Sequence, residues 1–368
     1  MSSSPRRPGE ILVYDGLDDP IPEVFADLRK QVYDSGDRGV LGLALDPNFP
    51  ASPYVYALYT FDHVIGEDEP GKFPHWGQPP TYEGDPCPKP PSADVDACPV
   101  SGRLVRLQAT GNHASSETVL IEDWCQQSSS HSIGDLQFGP EGALFASGGE
   151  GAGFGATDFG EFGWPHKNQC GDPPGNVGEA LTPPTAEGGG LRAQDLLTPG
   201  DPTGLDGTVI RIDPATAEGW PGNPLAASNS KNERRIIGFG FRNPFRFSIN
   251  DESHEVYVGN VGNVTIEEID RFSIAPQTPY NSGWPCFEGN LQSELRDLRA
   301  RPLQSALRRS GVDLAAVLQL RPQTAGDQRR RLLQRKRLCD LRIHLLRRRV
   351  LCEFPGAKSS LFLRFIII

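Results

Sequence analysis

Short runs in which apolar and polar residues alternate recur along the first 290 residues, separated by turns rich in Asp, Pro, Asn and Gly. This alternation predicts β-strands with one buried face, and the turn residues between consecutive runs predict hairpins. Three hairpins are predicted, at residues 41–59, 136–148 and 245–259.

The first two hairpins are each followed, after a long Gly- and Pro-rich insertion, by a third and a fourth strand-like run. The third runs lie at 102–107 and 207–213, and the fourth runs lie at 118–121 and 235–237. Four antiparallel strands repeated at wide spacing predict the blades of a β-propeller. Residues 9–28 match only the two outer strands of such a blade. The predicted fold class is therefore all-β, an incomplete β-propeller with four-stranded antiparallel blades.

The strand pattern ends near Asn290, where the composition changes. Residues 291–368 contain 18 of the 36 Lys and Arg but only 6 of the 47 Asp and Glu, so they carry a net charge of +12 and residues 1–290 one of −23. We predict a propeller domain over 9–290 and a basic, Arg- and Leu-rich tail over 291–368 that is irregular or helical and not a native domain. A frameshift explains this tail, and a genuine basic tail that binds nucleic acid or a membrane is the alternative.

The acidity of residues 1–290 argues against nucleic acid as a partner of that part, and no apolar run is long enough to span a bilayer. The chain starts without the apolar core of a signal peptide. Five cysteines lie in predicted loops without a CxxC pair, at Cys87, Cys98, Cys125, Cys170 and Cys286. This spacing predicts loop-stapling disulfides, with unpaired buried cysteines as the alternative. The parent protein is therefore expected to be secreted or periplasmic, with a leader that this chain lacks.

One histidine precedes the second predicted hairpin and one carboxylate follows it. Two antiparallel strands would bring His131 and Glu150 together at one end. A carboxylate that orients an imidazole prepares it as a general base, because the anion fixes the tautomer and stabilises the imidazolium. The alternative is a solvated pair of loop residues beside a Gly-rich turn.

Four segments in a fixed order, at residues 38–49, 131–150, 237–246 and 258–270, carry a family resemblance. Together they resemble the soluble quinoprotein glucose/sorbosone dehydrogenase family, which are six-bladed propellers that use pyrroloquinoline quinone (PQQ) and calcium. The resemblance covers residues 9–290. It implies oxidation of an aldose at its anomeric carbon to a lactone, by hydride transfer to the quinone.

The resemblance also implies roles for individual residues. His131 matches the general base, and Glu150 stands where the family usually has an orienting Asp. Arg242 and Asn243 match residues that contact the quinone, and a planar guanidinium suits developing oxyanion charge.

The calcium ligands implied by the resemblance are the backbone carbonyls of Gly262 and Asn263. Calcium seeks oxygen and needs no particular side chain at a carbonyl ligand. The implied partners are a small sugar or polyol and an electron acceptor. If the tail replaces the last blades, this chain itself is expected to be inactive. The alternative function is a secreted, non-catalytic propeller that binds a protein or carbohydrate partner, similar to the hedgehog-interacting type.

Overall fold

The computed structural model describes residues 9–16, 19–34, 36–63, 99–126, 128–151, 189–197, 202–263, 266–289, 291–292 and 365–367. In these parts of the chain, antiparallel β-sheets predominate, with a 3₁₀ helix at Gly189–Leu197 and a short helix, α1, at Lys231–Arg235. Neither described helix has the length and apolar character needed to cross a membrane. The two long insertions and most of the basic tail lie outside the described residues.

The first sheet contains four antiparallel strands in chain order. They are β3 (Val40–Leu45), β4 (Tyr54–Phe61), β5 (Val100–Thr110) and β6 (His113–Gln126). The order agrees with the predicted blade. β6 is much longer than the predicted run at 118–121, because its first half is exposed and polar yet pairs with β5 across a tight turn at Gly111 (φ 62°).

The second sheet repeats this arrangement. Its strands are β7 (Ile133–Phe138), β8 (Leu144–Gly148), β9 (Thr208–Ile212) and β10 (Ile236–Phe239), with β14 (Tyr280–Asn281) added beside β10. The first four strands pair antiparallel, as the predicted blade requires. β14 pairs parallel with β10, which the sequence did not indicate.

Three smaller groups of strands complete the described chain. They are β11 (Pro244–Asn250), β12 (Glu255–Asn260) and β13 (Glu268–Ser273); β1 (Glu10–Tyr14), β2 (Glu23–Asp27) and β17 (Phe365–Ile367); and β15 (Phe287–Glu288) with β16 (Leu291–Gln292). The expectation of an irregular or helical tail is wrong for residues 291–292 and 365–367, because their backbones pair as strands with Phe287–Glu288 and with β1. The division at residue 290, the number of blades and their closure into a ring stay predictions.

The largest buried cluster lies between the first two sheets. It joins Trp124 of β6 to Leu136 of β7 and to residues on β4, β5, β8 and β9. The two sheets approach each other so closely that two positions, Gly42 and Gly148, require glycine. A Cβ at Gly42 would lie 2.8 Å from the Cβ of Leu136, and one at Gly148 would lie 2.4 Å from the Trp124 ring. This packing fixes β7 and β8, from which the candidate site is built.

Asp135 lies on β7, the edge strand of the second sheet, and is partly buried. It accepts hydrogen bonds from the Leu136 amide (2.9 Å) and the Gln137 side chain (3.0 Å). Burial raises the pKa of Asp135 above its ordinary 3.8, although the Arg246 charge acts in the opposite direction. The folded chain therefore binds this proton more tightly than the unfolded chain. The resulting contribution to stability is present at low pH and is lost as the pH rises through the raised pKa.

We expect Asp135→Asn to remove this pH dependence. Unfolding free energies from urea titrations between about pH 4 and pH 7 should decline more with rising pH for the wild type than for the variant. Asp251→Asn, at an exposed turn, is the control and should keep the wild-type slope. Equal slopes for all three proteins would contradict the assignment.

Candidate functional site

The candidate site begins where β7 and β8 meet. Their antiparallel pairing sets Ile133 opposite Gly148, so the residues just outside the hairpin lie side by side. The His131 Nδ1 atom lies 2.5 Å from the Glu150 Oε1 atom, and both side chains are buried, with 2% and 1% exposed. The structure thus places His131 and Glu150 in contact, as the sequence pattern predicted. It also excludes the alternative of a solvated loop pair.

The backbone of His131 is held in the left-handed region, with φ at 51°. A histidine adopts this region at some cost and needs support from its surroundings. Its amide donates to the Asp37 Oδ2 atom (3.2 Å), and its carbonyl accepts from the Gly151 amide (3.1 Å). A Cβ at Gly149 would lie 2.2 Å from the His131 carbonyl oxygen, so this position admits only glycine. The backbone that carries the imidazole is therefore held on both its amide and its carbonyl side.

Arg38 fixes the segment that leads into His131. Its buried guanidinium donates to the carbonyls of Gln126 (2.8 Å) and Ser128 (2.9 Å). Burial lowers the pKa of Arg38 to about 10, which leaves it charged near neutral pH. The sequence pointed to Arg38 as part of a motif but not to this bracing role, and it did not indicate Asp37.

Arg242 and Asn243 lie next to this pair. The Glu150 amide donates to the Arg242 carbonyl (3.0 Å), which joins the two segments directly. The Arg242 side chain is buried, and its guanidinium carbon lies 5.4 Å from the centre of the Trp284 ring. Trp284 is a site residue that the sequence reasoning missed, because it lies outside the four segments that carry the resemblance.

Asn260 at the end of β12 holds the backbone of both residues. Its Oδ1 atom accepts from the amides of Arg242 (3.1 Å) and Asn243 (3.0 Å). Its Nδ2 atom donates to Ser282 Oγ (3.3 Å), which in turn donates to Asp270 (2.9 Å). One buried amide therefore fixes the turn that carries the guanidinium. No pattern in the sequence singled it out.

We expect Asn260→Leu to destabilise the fold strongly, because the similar-sized side chain leaves two buried amides without an acceptor. Each orphaned donor costs about 1–3 kcal/mol of unfolding free energy. Asn250→Leu is the matched control, since Asn250 also accepts from two amides, of Glu252 and Ser253, but at an exposed turn. Urea unfolding of both variants measures the difference. Equal losses would show that Asn260 has no special role.

The buried side-chain atoms in these segments that have no hydrogen-bond partner among the described residues include Ser132 Oγ, Glu150 Oε2, Asn243 Oδ1 and Trp284 Nε1. Buried polar atoms nearly always have a partner, so such a group is typical of a place where water or a ligand binds. A buried guanidinium, an indole face and these polar atoms suit an anionic, planar quinone. The residues present therefore fit the implied PQQ.

The turn at 261–263, where calcium was expected, faces Arg242. The Nη1 atom of Arg242 donates to the Gly262 carbonyl (2.7 Å) and to the Val261 carbonyl (3.3 Å). The Nη2 atom donates to the Asn263 side-chain oxygen (3.4 Å). The structure thus brings Arg242 and the two predicted calcium ligands together.

Calcium does not fit this arrangement. A calcium ion binds its oxygens at 2.3–2.6 Å. An ion on the Gly262 oxygen would therefore lie within about 5 Å of the guanidinium on the same oxygen, at a repulsion of roughly 6–7 kcal/mol for an effective dielectric constant near 20.

The chain shows limited similarity to known proteins. No family model matches it. It is 25% identical over 298 residues to the HIPL2 protein of Arabidopsis thaliana, a match that covers 74% of this chain and 36% of that protein. The chain thus spans about a third of the curated relative.

Among solved structures, the chain is similar to an oxidoreductase from Thermus thermophilus (TM-score 0.48, 23% identity, 76% of this chain and 60% of that one). It is also similar to the PQQ-bound aldose sugar dehydrogenase of Streptomyces coelicolor (TM-score 0.48, 19% identity, 77% and 58%). A third is the soluble aldose sugar dehydrogenase of Escherichia coli (TM-score 0.46, 19% identity, 76% and 58%). The chain spans about three fifths of each of these structures.

Proposed function

We propose that this chain belongs to a quinone-dependent sugar dehydrogenase that oxidises an aldose at its anomeric carbon to a lactone. The observation that supports this most is the buried contact between His131 and Glu150, whose amide is bonded to the carbonyl of Arg242. A base, the carboxylate that orients it and a buried cation thus share one site. An aldose is the substrate class that the resemblance of the four sequence segments implies.

In this proposal His131 takes the proton of the anomeric hydroxyl. Glu150 binds the Nδ1 side of the ring, which leaves Nε2 as the atom that receives and holds the proton. The glutamate also stabilises the imidazolium that forms. A bound quinone would supply the acceptor for the hydride that leaves the same carbon, so the substrate loses two electrons and two hydrogens.

Arg242, Asn243 and Trp284 would hold the quinone. The guanidinium offers a fixed cation for an anionic ligand, and the indole offers an apolar face. Both groups are buried, and electrostatic attraction is stronger where water is excluded. An electron acceptor would then reoxidise the cofactor. The complete protein would form a closed ring of six blades.

We also propose that the parent protein is secreted or periplasmic and carries loop disulfides. Three of the five cysteines concerned, Cys87, Cys98 and Cys170, lie outside the described residues, and Cys125 lies in β6 and not in a loop as expected. Counting reactive thiols in the native and the denatured chain tests this. Five reactive thiols among these cysteines in the native chain would refute it.

The proposed function is tested by measuring PQQ binding first and aldose oxidation second. The full chain is titrated with PQQ while tryptophan fluorescence is followed, and the reduction of a dye by aldoses is then measured. Quenching by PQQ is the expected result, and aldose-dependent reduction would show in addition that the chain is active without the family's last blades. Binding of a sugar without any quinone binding would instead favour the non-catalytic propeller. Quinone binding without turnover would support the site and place the defect in the rest of the chain.

A further inference from the structure

The turn at 261–263 is built to attract a cation on one side. Two of its amides are bound by carboxylates, while the Val261 amide donates to the Asn243 carbonyl (2.9 Å). The Gly262 amide donates to Glu267 (3.1 Å), and the Asn263 amide donates to Glu288 (2.6 Å). Carboxyl groups bound to these amides and carbonyl oxygens bound to Arg242 make the Arg242 side of the turn favourable for positive charge; this side is called its front face.

The turn has little freedom to rearrange. A Cβ at Gly262 would lie 1.9 Å from the carbonyl oxygen of Ile266, so the backbone crosses itself closely here. The Ile266 amide also donates to Glu288 (3.2 Å), which closes the turn against the same carboxylate. The front face is therefore presented in a fixed geometry.

A cation already lies at this face. Arg242 reaches the Val261 and Gly262 carbonyls with one nitrogen and the Asn263 side chain with the other. Its backbone is fixed independently, since its amide donates to Asn260 and its carbonyl accepts from Glu150. The Arg242 guanidinium therefore has three hydrogen-bond acceptors in the turn, and the Arg242 backbone is fixed by its own hydrogen bonds.

We infer that the Arg242 guanidinium is the resident cation of the 261–263 turn and that it excludes calcium, so that this chain binds an anionic quinone without a calcium ion there. The exclusion of calcium stands on the contacts alone, and the statement about the quinone rests on the proposed function. The physical reason is that a guanidinium and a calcium ion on the same carbonyl oxygen repel each other.

Terbium(III), a luminescent substitute for calcium, tests the exclusion without any quinone. Trp284 lies beside Arg242 and would sensitise terbium bound at the turn. We expect Arg242→Gln to bind terbium at least about tenfold more tightly than the wild type, because the competing charge is removed. Adding Trp284→Phe to that variant should abolish the sensitised emission, which assigns the signal to this turn. Thermal melting of each variant confirms that it is folded.

Arg246→Gln is the matched control. Arg246 lies in the same motif, but its guanidinium donates to the carbonyls of Gly134 and Phe245 and not to the turn. This variant should bind terbium like the wild type. Equal terbium affinity in all three proteins would overturn the inference. Absence of terbium binding at the turn in Arg242→Gln would overturn it as well, because the turn would then not be a cation site.

Quinone binding to the wild type gives a second, independent measurement. PQQ is titrated into the full chain with calcium chelated and again with calcium in excess. Equal dissociation constants are the expected result, and a requirement for calcium would overturn the inference. If PQQ binds in neither condition, the proposed function fails, while the terbium measurements still decide whether Arg242 excludes calcium.

Discussion

His131→Asn is expected to lower the rate of aldose-dependent dye reduction by about 10²- to 10⁴-fold, the usual contribution of a positioned general base. Asparagine is chosen because it tolerates the left-handed backbone that His131 adopts at φ 51°. The change removes the proton acceptor while keeping a short polar side chain. The loss should appear in kcat, with little change in quinone binding.

His254→Asn is the matched control for this variant. His254 also has a positive φ, 53°, but it lies at the exposed turn between β11 and β12. The backbone demand is therefore the same, and only the site differs. We expect His254→Asn to retain the wild-type rate. A His131→Asn protein that is folded, binds quinone and turns over normally would remove His131 from the mechanism.

Trp124→Ala is expected to destabilise the fold strongly. Trp124 is fully buried between the first two sheets, and its ring lies against Gly148. Replacing a buried tryptophan by alanine costs about 3–5 kcal/mol through lost burial and the cavity that remains. This is a large part of the roughly 5–15 kcal/mol that usually stabilises a folded protein.

Urea unfolding of Trp124→Ala and Trp124→Phe measures this effect. The phenylalanine variant keeps an aromatic ring and loses no protein hydrogen bond, because the Trp124 Nε1 atom has no partner among the described residues. It should therefore lose less than the alanine variant. Ile269→Ala is the control, since Ile269 is 58% exposed, and should change stability by less than about 0.5 kcal/mol. A loss below about 1 kcal/mol for Trp124→Ala would show that the two sheets do not depend on this contact.

The local parts of the fold could be predicted from the sequence. Alternation and turn residues marked the hairpins at 41–59 and 136–148 because strand period and turn chemistry are short-range properties. The same reasoning placed His131 and Glu150 together. The polar first half of β6 was missed, since its pairing with β5 depends on the turn at Gly111 and not on a buried face.

The remaining parts of the site depend on contacts between distant segments. Asn260 accepts hydrogen bonds from the backbone amides of Arg242 and Asn243. Every residue except proline has such an amide, so the sequence does not indicate which amides Asn260 will bind. Trp284 reaches Arg242 through the parallel pairing of β14 with β10, which no periodicity indicates. The conflict between Arg242 and calcium likewise required distances, because each residue alone matches its motif.

That parallel pairing also sets an order in which the site can form. The buried residues that pack with Trp124 all lie before residue 240, although β14 joins the second sheet later, and the indole beside Arg242 comes from a segment that follows strands β11 to β13. Contacts between segments so far apart form slowly, because the intervening chain must lose its freedom first. We therefore expect His131 and Glu150 to be in place during synthesis before Trp284 reaches Arg242. Under the proposed function, the chain would bind the quinone only after residue 284 has joined the fold.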